Sequence, residues 1–180
     1  STLLASSAAS DVYKRQEIAK HIIKDLPDDL KEYKRFTFKV TTQISTSREL
    51  NRVSPNNIAE RSTRYCNYSK DKFNNQISIC KPYYYDNLEI ADQLAFINRM
   101  SEYESNYLNR INRGWSPEDA REFLPLCTAT EVIYTYTVKE WRHIIDLRYY
   151  GTTGKPHPNA KIIAGLIRDQ LIYLGYKFRD

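Results

Sequence analysis

Between Ile44 and Phe73 the sequence crowds arginine, carboxylate and hydroxyl side chains together: Glu49, Arg52, Glu60, Arg61, Ser62, Thr63 and Arg64. Two further arginines, Arg121 and Arg148, stand well beyond this stretch. A guanidinium is a planar fork of N–H donors that matches phosphate geometry, so this composition suits an anionic ligand. A single surface arginine would ordinarily be no more than a solvated charge. Arg52, Glu60, Arg61 and Arg64, however, lie so close that an isolated domain would leave much of their charge without nearby partners. A bound anion or a facing subunit is therefore expected there. Lys139 and His143 form a smaller basic pair, one helical turn apart and hence on one face. His143, between Trp141 and Ile144, reads equally well as a packed histidine.

The order of these residues resembles a family signature. The flavin-dependent thymidylate synthases carry S-x-E-L followed by R-H-R-x-x-S-x-N-E-x-S-x-R-Y. Here Ser47, Glu49, Leu50, Arg52, Glu60, Ser62, Arg64 and Tyr65 fall in register with it. Val53 and Ser54 stand where the family has its His-Arg pair, and Asn57 and Ala59 replace its Ser and Asn. Residues 114–148 resemble the family's A-R-x-x-L-P stretch, its Thr-rich strand and its helix ending in L-R. His157-Pro158 resembles the H-P that opens the family's last helix. The resemblance spans about residues 36–175.

This resemblance implies an α+β fold: a single domain with a mainly antiparallel sheet flanked by helices. It implies FAD-dependent conversion of dUMP to dTMP with 5,10-methylenetetrahydrofolate and NADPH. The dUMP site would comprise Glu49, Arg52, Glu60, Arg61, Ser62, Thr63, Arg64, Arg121 and Arg148. Arg148 would be catalytic, its charge polarising the uracil so that an enolate-like state is stabilised. Ser62 would bind rather than attack. Arg52, Glu60, Lys139 and His143 would contact FAD. Losing the His-Arg pair removes polar contacts of about 1–3 kcal/mol each, so weaker FAD binding is expected. The family assembles as homotetramers with shared active sites, and the same is expected here. The alternative is a divergent homologue that binds a uridine nucleotide but has lost or altered the flavin-dependent methylation.

The elements that must position these residues are legible in part. Residues 1–16 are Ser- and Ala-rich without sustained periodicity or a basic leading region, and read as a non-native or disordered leader before a domain over 17–180. Apolar spacing predicts a helix over Glu17–Leu30. Strict alternation from Phe36 to Ser45 predicts a strand with one wet face. Ser45 to Ser47 are expected to cap a short helix running through Arg52, with a turn at Pro55. Ile58–Tyr68 and Gln76–Lys81 read as strands or extended segments around a polar loop. Asn87–Asn112 reads as a long core-facing helix, its stripe running through Ile90, Leu94, Ile97 and Met100. Ser116-Pro117-Glu118-Asp119 is a strong helix start. A strand over Thr128–Thr137 and helices over Lys139–Tyr149 and Pro158–Leu174 complete the chain.

Composition bounds the function class. The chain is 41% hydrophobic and 27% charged, with no apolar run approaching the roughly 18 residues a membrane span needs. A net charge of +5 and pI near 9.0 favour an anionic partner without naming one. Fifteen tyrosines interleaved with Arg and Lys would suit base stacking. No nucleic-acid motif accompanies them, so half-buried structural tyrosines are the better reading and no nucleic-acid partner is expected. Five glycines without a G-x-G-x-x-G exclude a flavin site of the βαβ type. Cys66, Cys80 and Cys127 are widely spaced and remote in sequence from His21, His143 and His157. Reduced thiols in a cytoplasm, and no metal site, are expected.

Overall fold

The computed structural model describes residues 27–54 and 56–179. The leader over 1–16, most of the helix expected over Glu17–Leu30, and Pro55 lie outside the described residues. A short helix α1, Asp28–Lys31, precedes strand β1, Arg35–Gln43. Along β1 the residues alternate between wet and half-buried until Val40 and Thr42 turn fully inward, as the period-two pattern requires.

β1 pairs antiparallel with β3, Ala129–Thr137, over its whole length, from Arg35 opposite Thr137 to Gln43 opposite Ala129. On the other side of β3 lies β2, Ile58–Glu60, also antiparallel, with Ile58 opposite Tyr134 and Glu60 opposite Val132. The sheet order is β1-β3-β2. The chain leaves β1 through helix α2, Ile44–Asn51, and crosses to the far side of the central strand. The cap of α2 differs from expectation. Gln43 is its N-cap without a side-chain cap bond, and Ser45 and Ser47 lie inside the helix. Ser47 is instead fully buried, its hydroxyl turned to a carboxylate.

Helix α3 runs over Ile90–Asn112, α4 over Pro117–Ala120, α5 over Val138–Ile145 and α6 over Pro158–Tyr173. Ser116 caps α4 as expected, its hydroxyl accepting from the Asp119 N–H. Thr137 and Glu140 form a reciprocal capping box on α5, which sets the helix axis directly off the end of β3. Lys139–Tyr149 is not one α-helix. After Ile145 the coil widens into a π-helical segment, Asp146–Tyr150, which ends at Gly151 in the left-handed region at φ 71°. A Cβ at Gly151 would lie 2.9 Å from both Gly154 O and Pro156 Cδ, so this turn requires glycine.

One face of the sheet packs on α2, α5 and α6 around Val132, Tyr134, Tyr136, Trp141, Ile145 and Leu171. Trp141 is buried, with its indole N–H donating to Phe36 O at 3.2 Å and its ring edge-on to Phe38 and Tyr136. A second cluster, Tyr68, Ile77, Tyr107 and Ala120, lies beneath α3 and α4.

Two segments that the sequence reads as strands or extended chain come out differently. Ile58–Tyr68 is strand only to Glu60, and Gln76–Lys81 contributes a single bridge, Ile79 to Thr128. The first segment turns after Arg61 and is held by bonds among Cys66, Tyr68 and Tyr107, while the second stays extended beside Cys127 to Ala129, contacts that local apolar spacing does not encode. Helix α3 is not core-facing along its length. Tyr107 is buried, but Ile90, Leu94 and Ile97 are 75%, 55% and 49% exposed. Among the described residues no helix is long and apolar enough to cross a membrane.

Candidate functional site

Three elements wall a cleft of about 500 Å³. Helix α2 contributes Ile44 and Arg48, which share a face because they are four residues apart. The end of β2 and the residues after it contribute Glu60, Arg61, Ser62 and Thr63. The turn after α4 contributes Arg121 and Glu122, and Leu124 to Leu126 close the wall. The fold thus brings together Glu60, Arg61, Ser62, Thr63 and Arg121, which are distant in sequence.

The cations of the cleft are not equivalent. Arg61 forms an ion pair with Glu131 on β3, and its backbone N–H donates to Glu131 O at 2.8 Å, extending the ladder past β2. Its guanidinium also sits over the Phe73 ring at 5.7 Å. Lys39 reaches the same Glu131 carboxylate at 2.8 Å. The Lys39 and Arg61 hydrogen bonds hold this carboxyl below its ordinary range, against a smaller opposing effect of burial. Arg48 and Arg121 are exposed and have no carboxylate partner among the described residues. They are therefore the charges available to a ligand, beside the exposed hydroxyl of Ser62.

Glu60 is the most constrained acid in the cleft. It accepts from Ser47 Oγ at 2.6 Å, Asn51 Nδ2 at 3.0 Å and Thr130 Oγ1 at 3.2 Å. The Asn51 amide is itself held by the Tyr134 hydroxyl, 2.7 Å from Oδ1.

The remaining candidates lie outside this cleft. Arg64 pairs with Glu118 at 2.9 Å on the surface. Arg52 is exposed at the C-terminal cap of α2 without a carboxylate partner among the described residues. Arg148, on the π-helical segment, donates from Nη2 to Glu49 O at 3.1 Å, with Nε 3.5 Å from the Glu49 carboxylate. Such a local widening of a helix recurs at functional sites because it re-aims one side chain. Lys139 and His143 are both exposed on α5, so His143 is not a packed histidine.

Where the signature has its His-Arg pair, the chain turns inward. Val53 packs against the main core, and the Tyr136 hydroxyl donates to the Ser54 carbonyl. Burial raises the Tyr136 pKa, so this donor stays protonated.

Arg48, Glu122, Asn51 and Tyr134 escaped the sequence reading. Arg48 and Asn51 share the face of α2 that begins at Ile44, so helical spacing was the available signal. Tyr134 carried none, because its role depends on a strand register.

Residues 3–171 match the Thy1 family, described as thymidylate synthase complementing protein. The chain belongs to this family. No match emerges among curated protein sequences. Among solved structures, the chain is similar to a UMP/dUMP methylase, PolB, from Streptomyces cacaoi, bound with 5-Br dUMP. That likeness has a TM-score of 0.64 at 18% identity, over 95% of this chain and 81% of that one. The same methylase bound with 5-Br UMP gives a TM-score of 0.62 at 16% identity, over 97% and 85%. The chain therefore shares the overall fold of that methylase. It places a basic cleft where β2, α2 and the turn after α4 meet.

Proposed function

We propose that this Thy1-family chain is an FAD-dependent thymidylate synthase that converts dUMP to dTMP. Methylenetetrahydrofolate would supply the one-carbon unit and NADPH the reducing equivalents. The observation that carries this reading is the cleft itself: Arg48 and Arg121, without a carboxylate partner among the described residues, stand beside Ser62 and Thr63, opposite an anchored carboxylate. This is a donor set for the phosphate of a uridine monophosphate, with Glu60 left to accept from the nucleoside.

Arg148 and Glu49 lie outside the cleft lined by Arg121. That separation supports a site completed by a second copy of the chain, in which Arg148 of one subunit polarises the uracil held by another. The exposed apolar stripe of α3 supports the homotetramer that such sharing needs.

For FAD, the exposed side chains of Arg52, Lys139 and His143 offer N–H donors to an anionic diphosphate, whereas Val53 offers no donor. A flavin held there would supply the reducing hydride chemistry. The chain's own residues orient the rings and exclude water. The packing of Val53 favours a second reading, in which a uridine nucleotide is bound but flavin chemistry is lost or altered. Bound 5-Br UMP and 5-Br dUMP in the similar methylase are in keeping with either sugar.

The test is a visible spectrum and a dUMP titration on the purified protein. Bound or readily taken-up FAD with dUMP affinity supports the synthase. A colourless protein that binds dUMP but refuses FAD selects the second reading. Failure to bind either ligand rejects both.

A further inference from the structure

The carboxylate of Glu60 is gripped only by donors: Ser47 and Thr130 on Oε1, Asn51 on Oε2. An ionised carboxylate offers about four lone-pair positions across its two oxygens. Oε1 is therefore filled, while Oε2 keeps acceptor capacity, and Glu60 lines the cleft. The Asn51 amide has only one useful orientation. Its Oδ1 accepts from the Tyr134 hydroxyl at 2.7 Å, so its Nδ2 must face Glu60. Tyr134 is buried on the central strand. Burial first, then the Glu60 and Tyr136 oxygens, push its pKa upward, and it remains a donor. Arg48, Arg61, Arg121 and Glu122 share the cleft with Glu60, yet its carboxylate has no cation within ion-pair distance among the described residues.

We propose that Asn51, oriented by Tyr134, is a positioning residue: it holds Glu60 so that the open Oε2 accepts an N–H or O–H of the nucleoside, and the cleft thereby selects a nucleotide over bare phosphate. The inference rests on the nucleotide-binding reading above. Its physical basis is the sign of Glu60. A fixed anion among arginines repels phosphate oxygens from its own end of the cleft and rewards only a donor placed there. Without the Asn51 donor the carboxylate is free to change rotamer, and that discrimination goes with it.

Calorimetry on the full chain tests this with three probes: dUMP, 2′,3′-dideoxyuridine monophosphate and inorganic phosphate. Asn51→Leu should weaken dUMP about tenfold and Tyr134→Phe a few-fold, roughly the loss of one oriented hydrogen bond, while phosphate affinity is unchanged. The double variant should bind dUMP no more weakly than Asn51→Leu, because Tyr134 acts only through Asn51. If the donor is the sugar hydroxyl, the dideoxy analogue is insensitive to Asn51→Leu. If it is the base N–H, the analogue follows dUMP. Tyr134→Phe keeps the buried ring, so misfolding does not obscure the result. Parallel weakening of phosphate, additive losses in the double variant, or unchanged dUMP affinity in both single variants would overturn the proposal. A wild-type chain that does not bind dUMP would instead overturn the nucleotide reading, and this inference with it.

Discussion

Arg148 is tied to Glu49 twice, through the backbone carbonyl at 3.1 Å and the carboxylate at 3.5 Å, with its side chain 18% exposed. This pairing joins the π-helical segment after α5 to the last turn of α2, on a part of the molecule that does not line the Arg121 cleft. One guanidinium edge is thus used for anchoring. A role for Arg148 toward substrate, as proposed above, then depends on a ligand reaching it from outside the Arg121 cleft.

The proposal that sites are shared between subunits makes a direct prediction. Arg148→Ala and Arg121→Ala should each lose nearly all dTMP formation as homogeneous proteins. Mixing the two under conditions of subunit exchange should restore part of the activity, since some sites then combine an intact Arg121 with an intact Arg148. A mixture as inactive as its components would count against sharing.

The cleft cations should differ in importance. Arg121→Ala and Arg48→Ala are each expected to weaken dUMP by about 10- to 100-fold, the loss of a charge-assisted contact of about 1.5–3 kcal/mol. Arg64→Ala should have a smaller effect, because Arg64 is already paired with Glu118 at the surface. Calorimetric titration ranks the three, and an Arg64 effect as large as that of Arg121 would contradict the placement.

Restoring the family pair, Val53→His with Ser54→Arg, is expected to tighten FAD. It should also lower the melting temperature, because Val53 packs against the core and an unpartnered imidazole there costs about 1–3 kcal/mol. Flavin titration and thermal melts read the two effects separately. Unchanged FAD affinity would mean that Arg52, Lys139 and His143 do not frame a flavin site.

Glu131 gives the fold an acid-sensitive contact. Its folded carboxyl lies below its ordinary value of 4.5, held there first by Lys39 and also by Arg61. Its stabilisation is thus fully present above about pH 4.5 and is lost as pH falls through the depressed folded value. Between those limits the unfolded chain binds the extra proton, so stability rises with pH. Denaturant melts should show a shallower acid slope for Glu131→Gln than for the wild type in that window. Identical slopes would remove this contact from the acid response.

Exposure of Leu94 and Ile97 on α3 predicts that their apolar stripe is covered by another copy. Light scattering at micromolar concentration should give about four times 21.2 kDa. Leu94→Glu with Ile97→Glu should dissociate the assembly while leaving the folded chain intact, since neither side chain is buried within it. A wild-type monomer would argue against the tetramer.

Much of this architecture is local and could be read from the chain alone. The alternation around Val40 specified a strand, because a one-residue slip would expose every buried side chain. Ser116-Pro117 specified a helix start, because its cap is made by neighbours in sequence. The signature residues specified the family. What the tertiary structure decided depends on non-local geometry. The β1-β3-β2 order puts Thr130 against Glu60 and Tyr134 within reach of Asn51, bonds between residues far apart along the chain. Helical spacing could assign the α3 stripe an apolar face but not a partner, and within one chain much of that face meets solvent. Arginines spaced by a motif look alike in sequence. Only the fold separates Arg121, open to the cleft, from Arg64 beside Glu118 and Arg148 beside Glu49, because which carboxylate reaches a guanidinium is set by contacts far apart along the chain.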